Sequence, residues 1–140
     1  MSTSTYMTYL AIVPILDADF ALSFAHSWIE GWNQHDIDAV LSHYADDFEL
    51  ASPLIPSIAG ESSGVLHGKA DVRAYWKKGL AQIPGLHFEL KEVLTGVDSI
   101  TLYYRGHRGM VAEMLWFNGT EKVKKAWVCY GINITRKGEL

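Results

Sequence analysis

The chain has 140 residues, 16 acidic and 12 basic, with a formal charge of −4. This length suits one domain with a real core, and the scattered charges, with no basic stripe, argue against nucleic acid as a partner. A single cysteine, Cys129, excludes an internal disulfide and fits a reducing, cytoplasmic setting.

Residues 1–16 carry the apolar run Tyr9 to Leu16, which lacks a positive leading segment and is too short to span a bilayer. They read as an arm that packs on the domain or on a partner subunit, with disorder as the alternative, and no membrane contact is expected. The domain is placed at 17–135 and a tail at 136–140.

Asp17 or Asp19 caps a first helix over about 18–33, on which Phe20, Phe24, Trp28 and Trp32 recur every fourth residue as a core-facing stripe. Asn33 to His35 form a polar break, with Asn33 suited to the left-handed position after a helix. Asp36 is a good cap for a second, short helix whose Ile37, Val40, Leu41 and Tyr44 share one face. Asp46-Asp47 end it, and alternation around Phe48 and Leu50 signals a strand over 47–52. The stretch from Ser52 to Gly64 holds two prolines and two glycines, which predict no regular element. Its four apolar residues suit a loop folded over the mouth of a cavity.

Val65 to His67 form a short strand, and a third helix spans about Ala70 to Gln82 with Val72, Tyr75, Trp76 and Leu80 on one face. Pro84 and Gly85 stop it. Leu86, Phe88 and Leu90 then alternate with polar residues. Strands Ser99–Arg105 and Met110–Asn118 meet through Gly106-His107-Arg108-Gly109, a four-residue hairpin loop that pairs Arg105 with Met110 and Leu102 with Glu113. A last strand runs from about Val123 to Thr135. Helices followed by strands predict an α+β domain with the helices on one sheet face. The opposite face, with Met114, Trp116 and Trp127, is too apolar to stay wet and is expected to make a homodimer.

The long helix, the W-N-x-x-D-x-D-x-V-L segment from Trp32 to Leu41 and the Tyr44-Ala45-Asp46-Asp47-Phe48 run resemble the nuclear transport factor 2-like superfamily. Its small bacterial members, the SnoaL-like polyketide cyclases and ketosteroid isomerases, are most similar. Gly68-Lys69 opening a helix and Phe117-Asn118-Gly119 between two strands agree. The resemblance covers roughly residues 18–134. It implies three helices packed into a strongly curved antiparallel sheet, a cone-shaped α+β barrel with an internal pocket. That fold hosts isomerases, dehydratases, epoxide hydrolases, cyclases and non-enzymes.

Glu113 is the one acid in the run Met110 to Phe117, on a strand buried on both faces. A lone buried carboxylate is either paired or held neutral. A structural ion pair, with Arg73 or Arg105 as partner, a ligand-binding acid and a catalytic acid all remain open for it. The resemblance aligns Glu113 with the protonated aspartic acid of ketosteroid isomerases, a group known for being held neutral by its site. Two other isomerase positions differ. Ser52, before Pro53, stands where their basic aspartate lies, and Trp28 where their oxyanion tyrosine lies. Neither side chain replaces the lost chemistry, since serine needs its own base and indole only donates.

Two functional readings follow, beside a third in which the chain is a purely structural dimer with a closed core. In the first, the chain is a cofactor-independent isomerase, cyclase, dehydratase or hydrolase on a small, mostly apolar carbonyl compound or epoxide. Glu113 is then acid or base, and Tyr104 or Ser52 polarises an oxygen. In the second, it is a binding module for a small apolar molecule. Phe24, Trp28, Tyr130, Ile55, Ile58, Trp76, Leu102 and Leu115 are the expected pocket walls. His67 stands near the rim, the histidine spacing predicts no metal, and Cys129 is expected as a small core residue.

Overall fold

The computed structural model describes residues 16–132 and 134. The N-terminal arm and the C-terminal tail therefore lie outside the described residues, apart from Leu16, which packs against the core. Asp17 starts helix α1 (Ala18–Asn33) by accepting from the Phe20 N–H at 2.7 Å. The fourfold aromatic spacing buries Phe24, Trp28 and Trp32 with Ala21 and Ala25 between them. His26 faces solvent. Gly31 has a packing reason: a Cβ there would stand 2.9 Å from Val40 Cγ2, so glycine lets α1 close onto helix α2 (Ile37–Leu41).

Asp36 caps α2 through the Ala39 N–H at 3.0 Å, as its position predicts. The left-handed residue in the preceding break is His35, at φ 57°, rather than Asn33. The Asn33 side chain is committed to tertiary bonds instead. Its Nδ2 donates to the Phe88 carbonyl at 2.9 Å and its Oδ1 accepts from the Phe88 N–H at 2.7 Å. His35 Nε2 donates to the Leu86 carbonyl at 2.9 Å. What reads locally as a polar break is thus a clamp on the chain segment leading into strand β3.

Strand β1 (Tyr44–Ala51) begins three residues earlier than its alternation suggests. Tyr44 belongs to it and not to α2, because the Val123 N–H donates to the His43 carbonyl and Lys122 Nζ to the Ser42 carbonyl, tying this turn to the sheet. The Pro/Gly-rich stretch contains a regular element after all, helix α3 (Ile55–Ala59). Pro56 lies in its first turn, where a missing N–H is harmless, and Gly60 ends it at φ 77°. Then come β2 (Val65–His67), helix α4 (Lys69–Gln82), β3 (Glu89–Thr95), β4 (Ser99–Arg105), β5 (Met110–Phe117) and β6 (Val123–Tyr130). β3 starts later and runs further than expected from Leu86 to Leu90. β6 ends at Tyr130, five residues short of the expected end, with Ile132 and Ile134 exposed.

The six strands form one sheet in the order β2-β1-β6-β5-β4-β3. The fold class is α+β, with two refinements. β1 runs parallel to β6, so the sheet is mixed rather than antiparallel, and β2 and β3 remain as edges, so it does not close into a barrel. The β4–β5 register is the one the hairpin loop dictates, with Arg105 beside Met110 and Leu102 beside Glu113. That register puts Ile100, Leu102, Tyr104, Val111, Glu113, Leu115 and Phe117 on the inner face, against the helices. Each fully buried Leu, Ile or Phe among them contributes roughly 1.5–3 kcal/mol. On the outer face Met114 and Trp116 are half-buried, whereas Trp127 and Cys129 are exposed, which corrects the core assignment of the cysteine. Cys129 lies next to Val128 on the strand's opposite side and so cannot share the core with it.

Candidate ligand site

The inner face of β4, β5 and β6, the end of β1 and the helices α3 and α4 enclose a cavity of about 300 Å³. This is the lower end of the range for small-molecule sites. At its polar floor, Tyr104 donates its phenolic hydrogen to Glu113 Oε1 at 2.9 Å. Both residues come from the β4–β5 hairpin, and their shared side of the sheet follows from its register. Glu113 is only 4% exposed. Among the described residues no lysine, arginine or histidine lies within ion-pair distance of it. Arg73 is engaged with Asp38, Nε to Oδ1 at 3.0 Å, and Arg105 points to the outer face.

Burial therefore dominates its chemistry. Desolvation raises the Glu113 carboxyl to about 7, with the Tyr104 hydrogen bond pulling the other way. The same burial, reinforced by the charge Glu113 acquires when ionised, holds the Tyr104 and Tyr44 phenols well above their usual range. The phenols are donors throughout the neutral range, whereas Glu113 changes state within it. When protonated it can give a proton to a ligand oxygen, and when ionised it can take one up.

A second polar group lies nearby. Ser52 Oγ, buried, accepts from the Leu54 N–H at 3.3 Å and from the Tyr75 hydroxyl at 3.4 Å. The Tyr130 phenol, raised by burial, is drawn back down by the Ser52 hydroxyl. The apolar walls are supplied by Trp32, Trp76, Leu86, Phe88, Ile58 and Val128, and His107 and Arg108 of the hairpin loop reach the cavity as well. The Trp32 indole N–H is buried with no hydrogen-bond partner among the described residues. A donor left so costs about 1–3 kcal/mol.

Of the residues singled out by sequence, Glu113, Tyr104, Ser52, Tyr130, Ile58 and Trp76 line this cavity. Phe24, Trp28, Ile55, Leu102 and Leu115 do not; all five are packed into the surrounding core. Phe24 packs edge-on against Phe117 and His43. Trp28 donates its Nε1–H to Tyr44 Oη at 2.9 Å, inside the wall. One helical turn separates it from Trp32, the stripe residue that does reach the cavity. Tyr75 was legible only as the neighbour of Trp76 on one helix face, and Phe88 only as an alternating apolar residue. His67 is exposed at the end of β2, away from the cavity. Among the described residues no three His, Cys, Asp or Glu side chains are grouped to hold a metal, and no helix is long and apolar enough to cross a membrane. A separate Ser27 Oγ–His43 Nε2 contact at 2.9 Å lies outside the cavity.

The SnoaL-like domain family matches residues 25–134. A SnoaL-like protein of unknown function from Burkholderia thailandensis is 49% identical, over 85% of this chain and 99% of that one, with a TM-score of 0.80. Two more distant structures share the fold. AclR, a putative hydroxylase from Streptomyces galilaeus, is 18% identical over 82% of this chain and 91% of its own, with a TM-score of 0.63. SalBIII, an epoxide hydrolase/cyclase-like enzyme in pyran ring formation in the polyether salinomycin, is 15% identical over 83% of this chain and 94% of its own, with a TM-score of 0.63. No curated protein matches the chain.

Proposed function

The chain belongs to the SnoaL-like domain family, and from that premise we propose that it is a small-molecule pocket protein whose Glu113 exchanges a proton with an oxygen of a small, mostly apolar carbonyl compound or epoxide. The observation that carries the reading is a buried carboxyl on a cavity wall, with a phenol donor and no cationic partner among the described residues. In the protonated state Glu113 gives its proton to the substrate oxygen as a C–O bond opens or a carbonyl polarises. The carboxylate left behind then recovers a proton from substrate carbon or water. Tyr104 orients the carboxyl and stabilises its anion. Such general acid–base assistance supplies about 10²–10⁴ in rate. The hydroxylase and cyclase-like names of the distant neighbours agree with chemistry at oxygen-bearing carbon, and no resident cofactor is invoked.

Binding without turnover is the second reading. It is favoured by Ser52, which has no adjacent base to make it a nucleophile, and by Trp28, whose N–H is already engaged by Tyr44. The experiment is a carbon-detected NMR titration of Glu113, with Glu113→Gln for assignment, followed by turnover assays on apolar ketones and epoxides. A carboxyl titrating near 7 together with turnover that falls at least 100-fold in Glu113→Gln supports the enzyme. Ketone affinity that depends on Glu113, without turnover, supports the binder. Titration at or below about 4 overturns both.

We further infer a homodimer through the outer sheet face. Met114, Trp116 and Trp127 sit together there on β5 and β6, and Trp127 is 41% exposed. Lys125 Nζ lies over both indoles, at 5.4 and 4.5 Å from the ring centroids.

A further inference from the structure

The cavity carries two polar stations, and the proposed function uses one of them. Glu113 and Tyr104 form the first, on β5 and β4. Ser52, Tyr75 and Tyr130 form the second, contributed by the end of β1, by α4 and by the end of β6. Their separation follows from the strand pairing. Glu113 lies beside Val128 on β6, and Ala51, the residue before Ser52, lies beside Trp127 on the same strand. One strand stands between them, so two strand spacings put the Glu113 and Ser52 backbones roughly 10 Å apart. The interval is apolar, with Val128 on the sheet side and Trp76 and Phe88 in the walls.

Ser52 and Tyr75 are buried and Tyr130 stands at the exposed rim, yet the hydrogen bonds of the buried pair are loose. The two bonds that Ser52 accepts, at 3.3 and 3.4 Å, exceed the usual 2.7–2.8 Å between hydroxyls by more than half an ångström in the Tyr75 case. A core built only for packing would place Val and Phe at such positions, because burying a hydroxyl without a good partner is unfavourable. Three hydroxyl-bearing side chains from three elements converge on the same wall, and all three touch the cavity.

We propose that the cavity selects a small ring ketone bearing a second oxygen, hydroxyl or carbonyl, on the far side of the ring. Its first oxygen lies at Glu113 and Tyr104, and its second at Ser52, Tyr75 and Tyr130. The aromatic walls pack on the ring between them. The inference rests on the ligand-site reading above and adds the identity of the substrate class. It gives Ser52 and Tyr75 a positioning role in which they hold the distal oxygen and leave proton exchange to Glu113.

The test is a tryptophan-fluorescence titration of the full chain with tetralin, 1-tetralone and 6-hydroxy-1-tetralone, in the wild type, Ser52→Ala, Tyr75→Phe and Glu113→Gln. The distal hydroxyl is expected to tighten binding about tenfold over 1-tetralone, the effect of one hydrogen bond to a buried partner. Ser52→Ala or Tyr75→Phe should cut that advantage, taken as the ratio of the two ketones' affinities within each variant, to threefold or less. Should Ser52→Ala disturb folding through the Leu54 contact, Tyr75→Phe carries the comparison. Equal binding of the two ketones to wild type, or an advantage that survives in both hydroxyl variants, overturns the proposal. Failure of the ligand-site reading looks different. Ketones then bind no better than tetralin, or 1-tetralone affinity is indifferent to Glu113→Gln. If none of the three probes binds, both readings fall together.

Discussion

Tyr104 Oη and Glu113 Oε1 stand 2.9 Å apart on neighbouring strands, and this bond limits how far burial can raise the carboxyl. The bond favours the ionised form because it strengthens when Glu113 carries charge. In Tyr104→Phe, Glu113 should titrate higher than about 7, by roughly one pH unit if the lost bond is worth about 1.4 kcal/mol. An NMR titration of the Glu113 side-chain carbon in both proteins measures this. A lower value in the variant would mean that Tyr104 does not stabilise the anion.

The raised carboxyl also makes stability depend on pH. Its folded value, about 7, lies above its unfolded value of 4.5, so between these the folded state binds more proton than the unfolded state. Stability therefore falls as pH rises through that window, and Glu113 accounts for about 3 kcal/mol of the fall. Glu113→Gln lacks this term. Its melting temperature should match or trail wild type near pH 5 and exceed it at pH 8. Parallel curves for the two proteins from pH 5 to 8 would contradict a neutral, buried Glu113.

Trp28→Phe separates wall from cavity. The change removes the N–H that Tyr44 Oη accepts and leaves a buried phenol with one partner fewer. Urea unfolding should show a loss of about 1–3 kcal/mol, whereas affinity for apolar ketones should stay within about twofold. A large loss of affinity without loss of stability would return Trp28 to the ligand site.

Asn33→Ala releases both backbone bonds at Phe88, a residue of the cavity wall. The expected cost is about 1–3 kcal/mol by urea unfolding. Amide exchange at Phe88 should accelerate by more than that at Tyr104, which is held by the sheet.

The outer face yields a mass. Light scattering at micromolar concentration should give twice the 15.7 kDa of one chain, and Trp127→Glu should return the monomer with its thermal melt intact. A monomeric wild type removes the homodimer.

Much of the fold was legible because it rests on local rules. The fourfold aromatic spacing of Phe20, Phe24, Trp28 and Trp32 determined a buried helix face, Asp36 a cap, and Gly106 to Gly109 a hairpin register that fixed Glu113 beside Leu102. From that register alone Tyr104 and Glu113 share one face of the hairpin, whereas the hydrogen bond between them is a property of the folded structure. The sequence also carried the family, through the run from Trp32 to Phe48.

Tertiary structure decided what depends on contacts distant along the chain. Tyr44 fits an i+7 helix position as well as a strand, and only the bonds from Lys122 and Val123 to Ser42 and His43 assign it to the sheet. Asn33 suits a left-handed turn by its residue type, but Phe88, 55 positions on, engages its side chain. The stripe of α1 says which residues turn inward and not which of them meets empty space, so Trp28 and Trp32 could not be told apart without the opposing walls. Ser52, Tyr75 and Tyr130 came together for the same reason. Hydrophobic periodicity sets the direction of a side chain, whereas a cavity is defined by what fails to fill the space in front of it, and that is a property of three elements at once.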